Sequence, residues 1–75
     1  MAKRIFAELS DVGTPVRFRE ITRFFKDQRK ERIGPVTDAL VEVGVLVLDH
    51  DGFYTLGPVE LSDAEEILNQ RFSQP

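Results

Sequence analysis

Ala39-Leu40-Val41-Glu42-Val43-Gly44-Val45-Leu46-Val47-Leu48-Asp49-His50-Asp51-Gly52-Phe53-Tyr54-Thr55-Leu56-Gly57 changes its hydrophobic period at Gly44. Before that glycine, Val36, Leu40 and Val43 fall on one helical face, which predicts a helix over Pro35–Val43. Gly44 is placed to end it. After it, Val45-Leu46-Val47-Leu48 is a short β-branched and apolar run of strand length. Asp51-Gly52 is a hairpin signal, because this dipeptide tolerates the positive φ angles of a tight turn. Phe53-Tyr54-Thr55-Leu56 is then the returning strand, closed by Gly57-Pro58.

Upstream, Ile5, Phe6, Leu9 and Val12 have helical spacing and Gly13 follows as a stop, giving a first helix over Ala2–Val12. Pro15 disfavours the helical region at Thr14, so Thr14-Pro15-Val16 is extended. Phe18, Ile21, Phe24 and Phe25 form one apolar stripe, and we expect a single second helix over Phe18–Lys30. Gly34-Pro35 breaks that pattern and suits the start of the third helix. Downstream, Ser62-Asp63-Ala64-Glu65 reads as a capping box. The helix that it opens, 62–72, carries Ala64, Ile67, Leu68 and Phe72 on one side.

The chain has 75 residues, the length of one small domain, with 41% hydrophobic and 31% charged residues, which excludes a disordered chain. We expect one α+β domain over 1–75. There is no Cys and only one His, so a disulfide framework, a thiolate zinc site and a multi-histidine site are excluded. The opening Met1-Ala2-Lys3-Arg4-Ile5 lacks the apolar stretch of a signal peptide, and no apolar run reaches membrane-spanning length. A reducing, cytoplasmic location and no membrane partner are the expectation, with a nucleoid or nuclear location if the chain is bound to DNA.

Charge is unevenly spread. The formal net charge is −3, yet residues 1–32 hold nine basic and five acidic side chains, whereas residues 33–75 hold one basic and eight acidic. The basic ones gather in Arg17, Arg19, Arg23, Lys26, Arg29, Lys30 and Arg32. The alternative to a functional patch is a solvated helix face, in which Glu20, Asp27 and Glu31 pair with some of these cations. Asp49, His50 and Asp51 are read as a polar turn, because the rest of a calcium loop's spacing is missing. No nucleophile motif and no Gly-rich phosphate loop is present, so neither an enzyme nor a cofactor is expected.

The order helix, short extended segment, helix, helix, β-hairpin, helix resembles the winged helix-turn-helix family. The resemblance covers residues 14–57 and is carried best by Ala39–Leu46 and the hairpin through Asp51-Gly52 to Tyr54. It implies a three-helix core, a hairpin wing and a C-terminal helix, with Pro15-Val16 able to add a third strand. It further implies binding to double-stranded DNA by a transcriptional regulator or chromosome-associated factor. The third helix as read offers Thr37, Asp38 and Glu42 and no Arg or Lys. Contacts to phosphate are therefore expected from Arg17, Arg19, Arg23, Arg29, Lys30 and Arg32, with Thr37 nearest to a base edge. A competing expectation is a protein-interaction module. There, Asp38, Glu42, Asp49 and Asp51 meet a basic partner and the Val/Leu-rich wing is the apolar centre. RNA is a third reading, disfavoured because the Phe residues lie at core spacing. Homodimerisation through Ala64, Ile67, Leu68 and Phe72 is expected, against the alternative of packing on the first helix.

Overall fold

The computed structural model describes the backbone of residues 1–73 and the side chains of residues 1–71. It is a small α+β fold with four helices and a three-stranded antiparallel sheet: α1 (Ala2–Val12), β1 (Val16–Arg17), α2 (Phe18–Arg23), α3 (Lys30–Glu42), β2 (Leu46–Leu48), β3 (Phe53–Leu56) and α4 (Leu61–Ser73). The sheet order is β1-β3-β2, so the short extended segment does join the hairpin.

Sheet register follows from which residues must be covered. Leu46 faces Leu56, Leu48 faces Tyr54, and Tyr54 also faces Val16. Directly opposed residues share a face, so these five form the side turned to the helices. Val16, Leu46 and Tyr54 are buried there, while Leu48 and Leu56 lie partly exposed toward its margins. Val47, Thr55, Phe53 and Arg17 stand on the outer face. Helices supply Ile5 and Leu9 of α1, Ile21 of α2, and Ile33, Ala39 and Leu40 of α3 to the same core.

The second and third helices differ from the expected ones. α2 stops at Arg23, and a connection over residues 24–29 replaces its expected second half. The amides of Phe24 and Phe25 bond three residues back, to Ile21 O and Thr22 O, which tightens the last turn. Beyond Phe25 comes Lys26-Asp27-Gln28-Arg29, four residues with no apolar side chain. A continued helix would gain no burial there, whereas a turn brings Ile33 into the core, where it is fully buried.

α3 accordingly begins at Lys30, and Gly34-Pro35 lies inside it. Pro35 is its sixth residue and removes one N–H of the helical ladder. Its natural acceptor would be the carbonyl of Glu31, an exposed first-turn residue whose oxygen water can satisfy. Ile33, Thr37 and Leu40 then align on the buried side.

At its other end, α3 passes into β2 through Gly44, with φ at 88°. Val45 N–H bonds Leu40 O at 3.0 Å, closing the helix end. Gly57 N–H reaches Val45 O at 2.7 Å, and Val59 N–H reaches Gly44 O at 3.2 Å. A Cβ on Gly57 would overlap the Gly44 carbonyl oxygen, so only glycine permits this approach.

α4 begins at Leu61, so Ser62 lies in its first turn rather than capping it. Leu61, Ala64 and Leu68 are buried within the chain, while Ile67 is 54% exposed. α4 is tied to α1 by Lys3–Glu65 at 3.9 Å and to α3 by the Arg71–Glu42 hydrogen bond. Two of the four residues expected at a dimer face, Ala64 and Leu68, thus cover the chain's own core. The side chain of Phe72 lies outside the described residues.

Candidate nucleic-acid interface

The local sequence dictates where each basic side chain starts. Arg17 ends β1 and caps α2; its own N–H donates to Glu20 Oε2 at 2.8 Å. This is half of a capping box, since a guanidinium has no lone pair with which to return the bond. The Arg17 guanidinium lies over the Phe53 ring, 4.5 Å from its centroid, on the outer face of the sheet. Arg19 and Arg23 are four residues apart on α2 and so share a helix face. Arg29 caps α3, and Lys30 and Arg32 occupy its first turn.

The basic residues thus group by element. Arg29, Lys30 and Arg32 are brought together on a single turn, Arg19 and Arg23 form a second pair, and Arg17 stands on the sheet. All six are exposed. The alternative pairing with Glu20, Asp27 or Glu31 does not form: among the described residues, none of the six cations has a carboxylate within 4.0 Å.

Two expectations are corrected. The third helix expected over Pro35–Val43 has no Arg or Lys, but its earlier start gives it Lys30 and Arg32. Thr37 was the residue nearest to a base edge, but it is fully buried, and its hydroxyl donates to Ile33 O at 2.9 Å. Helical spacing aligns it with Ile33 and Leu40, and the bond to the carbonyl four residues back lets its hydroxyl enter an apolar core. Asp38 and Glu42 remain exposed on α3.

The electrostatics of the α3 start are unfavourable in the free chain. Helix N-termini carry the positive end of the dipole, where carboxylates stabilise and cations do not. Arg29, Lys30 and Arg32 are set against that end, with Glu31 the one acidic residue of the turn. An anion beside this turn would meet backbone N–H groups and three cations at once.

Among the acidic residues of the hairpin, Asp49 has a structural role. Asp49 Oδ1 accepts the N–H groups of Asp51 and Phe53, both at 2.9 Å, which holds the hairpin turn. Val47, Leu48 and Leu56 are 45%, 43% and 42% exposed on this hairpin.

Two cations outside the expected set also lie near the basic connection. Arg4 of α1 and Lys26 of the 24–29 segment line an open cleft with Arg23. Nothing in the local sequence marks Arg4, because tertiary packing of α1 brings it there.

Among the described residues no group of three or more His, Asp or Glu side chains is placed to hold a metal ion, and no helix is long and apolar enough to cross a membrane. No protein-family model matches the chain, and neither curated proteins nor solved structures give a significant match.

Proposed function

We propose that this chain is a winged-helix domain that binds double-stranded DNA mainly through its phosphates, as a transcriptional regulator or chromosome-associated factor. The element order and the β1-β3-β2 sheet support that reading of the fold. The observation that carries the function is the start of α3. Arg29, Lys30 and Arg32 are exposed there without an ion partner among the described residues, at the end of a helix that repels them. An external polyanion removes this repulsion, and a duplex backbone supplies regularly spaced phosphates. Arg19 and Arg23 extend the contact along α2. With Thr37 buried and Glu42 bonded to Arg71, the polar side chains left exposed on α3 are those of Lys30, Glu31, Arg32 and Asp38.

Salt titration tests the reading. Each neutralised phosphate adds about −0.9 to the slope of log K against log salt. We expect roughly three to five contacts per chain, hence a slope of about −3 to −4.5. Replacing Arg29 and Lys30 together by Ala should weaken binding alike for all duplex sequences and flatten that slope. If no duplex binds at low salt and tens of micromolar protein, the DNA reading fails.

A protein-interaction module would then replace it. The exposed Val47, Leu48 and Leu56, beside Asp49 and Asp51, favour a partner that is apolar and basic. A homodimer through α4 would have to be built around Ile67, the exposed apolar residue of its stripe among those described. Sedimentation at high micromolar concentration distinguishes dimer from monomer.

A further inference from the structure

We infer that the cleft between α1 and the 24–29 connection is a separate binding site for a small phosphate-bearing ligand of mononucleotide size, held through its di- or triphosphate. This goes beyond the duplex reading: the two share Arg23, but the other cations of the cleft, Arg4 and Lys26, lie outside the proposed duplex contact.

Three segments far apart in sequence meet at the cleft: Arg4 and Glu8 from α1, Arg23 from the end of α2, and Lys26 and Asp27 from the connection. Its volume is about 540 Å³. That lies within the usual range of about 300–1,000 Å³ for small-molecule sites and exceeds what a single inorganic ion needs. The Arg4 guanidinium is positioned before any ligand arrives, 5.8 Å from the centroid of the Phe25 ring and with its Nε 3.6 Å from Glu8 Oε1.

Arg23 and Lys26 have no carboxylate within 4.0 Å among the described residues, so their charges are free for a ligand. Cations outnumber acids three to two in the lining. Glu8 is engaged with Arg4, which leaves the Arg23 guanidinium and the Lys26 ammonium without an ion partner among the described residues. Several phosphate oxygens can be shared between these two and the N–H groups of Arg4 other than its Nε, and Arg can take two of them side by side. Phe24 and Phe25 give part of the wall an apolar character. The cleft thereby offers both a polyphosphate cradle and an apolar margin.

Calorimetric titration of the full chain with ATP, and separately with inorganic pyrophosphate, at low salt and without DNA, tests the site. ATP is expected to bind more tightly than pyrophosphate. Arg4→Gln and Lys26→Gln should each weaken ATP binding about tenfold, as expected for loss of one charge-assisted contact. Glu8→Gln should tighten it, a direction that damage to the fold would not produce. Lys3→Gln makes the same charge change on α1 away from the cleft and should leave ATP affinity unaltered. Circular dichroism of each variant confirms that it is folded. Absence of ATP binding at millimolar concentration overturns the proposal, as does equal weakening by Lys3→Gln. So does a result in which Arg4→Gln and Lys26→Gln weaken duplex binding while ATP does not bind, since the cleft would then belong to the duplex contact. A chain that binds ATP but no duplex sinks the proposed function and leaves this site standing.

Discussion

The two ends of α3 are built on opposite terms. At the C-terminal end, Thr37, Ala39 and Leu40 are buried, and Val45 N–H closes on Leu40 O. Gly44 and Gly57 let two segments of backbone meet there. At the N-terminal end, three exposed cations sit against the positive pole of the helix, and Pro35 removes a ladder bond within the following turn. Both ends pack a side chain into the core, Leu40 at the C-terminal end and Ile33 at the N-terminal end, but only the N-terminal end sets unpaired cations against the helix dipole. Sites that hold ligands often run against local stability in this way. The contrast separates a packed end of α3 from the end at which we propose binding.

The largest test of this division is Leu40→Ala. A fully buried leucine in the shared core should cost about 2–5 kcal/mol through lost burial and the cavity left behind. Chemical denaturation measures it, and a loss below about 1 kcal/mol would mean that this end of α3 is not the stabilising one. Gly57→Ala comes next. Its Cβ would overlap the Gly44 carbonyl oxygen, and the backbone must shift to make room. We expect a loss of about 1–3 kcal/mol, comparable to overpacking elsewhere in protein cores.

Tyr54 sharpens the picture from the sheet side. Burial, and secondarily the Asp38 carboxylate of α3, hold its hydroxyl protonated above the ordinary value of 10.0. A raised folded-state pKa adds stability that is complete below that value and is lost as pH climbs through the folded-state pKa. Alkaline unfolding curves should therefore show a loss beginning above about pH 10 that is absent in Tyr54→Phe. Asp38→Asn should shrink it by less, because burial is the larger cause.

The smallest effect has the most informative sign. The Arg29/Lys30 double Ala variant relieves repulsion at a helix N-terminus, so its stability should stay equal or rise by about 0.3–1 kcal/mol. Duplex binding should fall in the same protein. A drop in stability would place these side chains among the structural ones and erase the contrast between the two ends.

How legible this was in the chain differs by segment. Where apolar spacing and a breaker agree, as at Leu9 with Gly13 or Val43 with Gly44, the helix ends lie within a residue of where the pattern places them. The hairpin from Leu46 to Leu56 is also local: a loop closed by Asp49 N–H on Phe53 O, with Gly52 but not Asp51 at positive φ, joins two runs of strand composition, and Asp49 binds its own turn. The stretch from Phe24 to Pro35 departs from its local pattern for a physical reason. Phe24 and Phe25 continue a helical stripe, but they pack from a turn, because Ile33 can reach the core only if the chain reverses before it. Proline then reads as a helix start although it sits in a helix interior.

For the candidate interface, exposure of Arg17, Arg19, Arg23, Arg29, Lys30 and Arg32 follows from their chemistry, since an unpaired guanidinium or ammonium does not enter a core. That much the order of residues determined, together with the α+β class and the hairpin. Whether those cations pair with neighbouring acids, and which element each one stands on, required the fold. Thr37 illustrates the limit: its identity permits both a base contact and a buried bond to Ile33 O. The helix phase that buries it depends on Ile33 and Leu40 docking against α1 and the sheet. The meeting of Arg4 with Arg23 and Lys26 has no local signature at all, because contacts between distant segments are set by how helices pack, and that was decided by the tertiary structure alone.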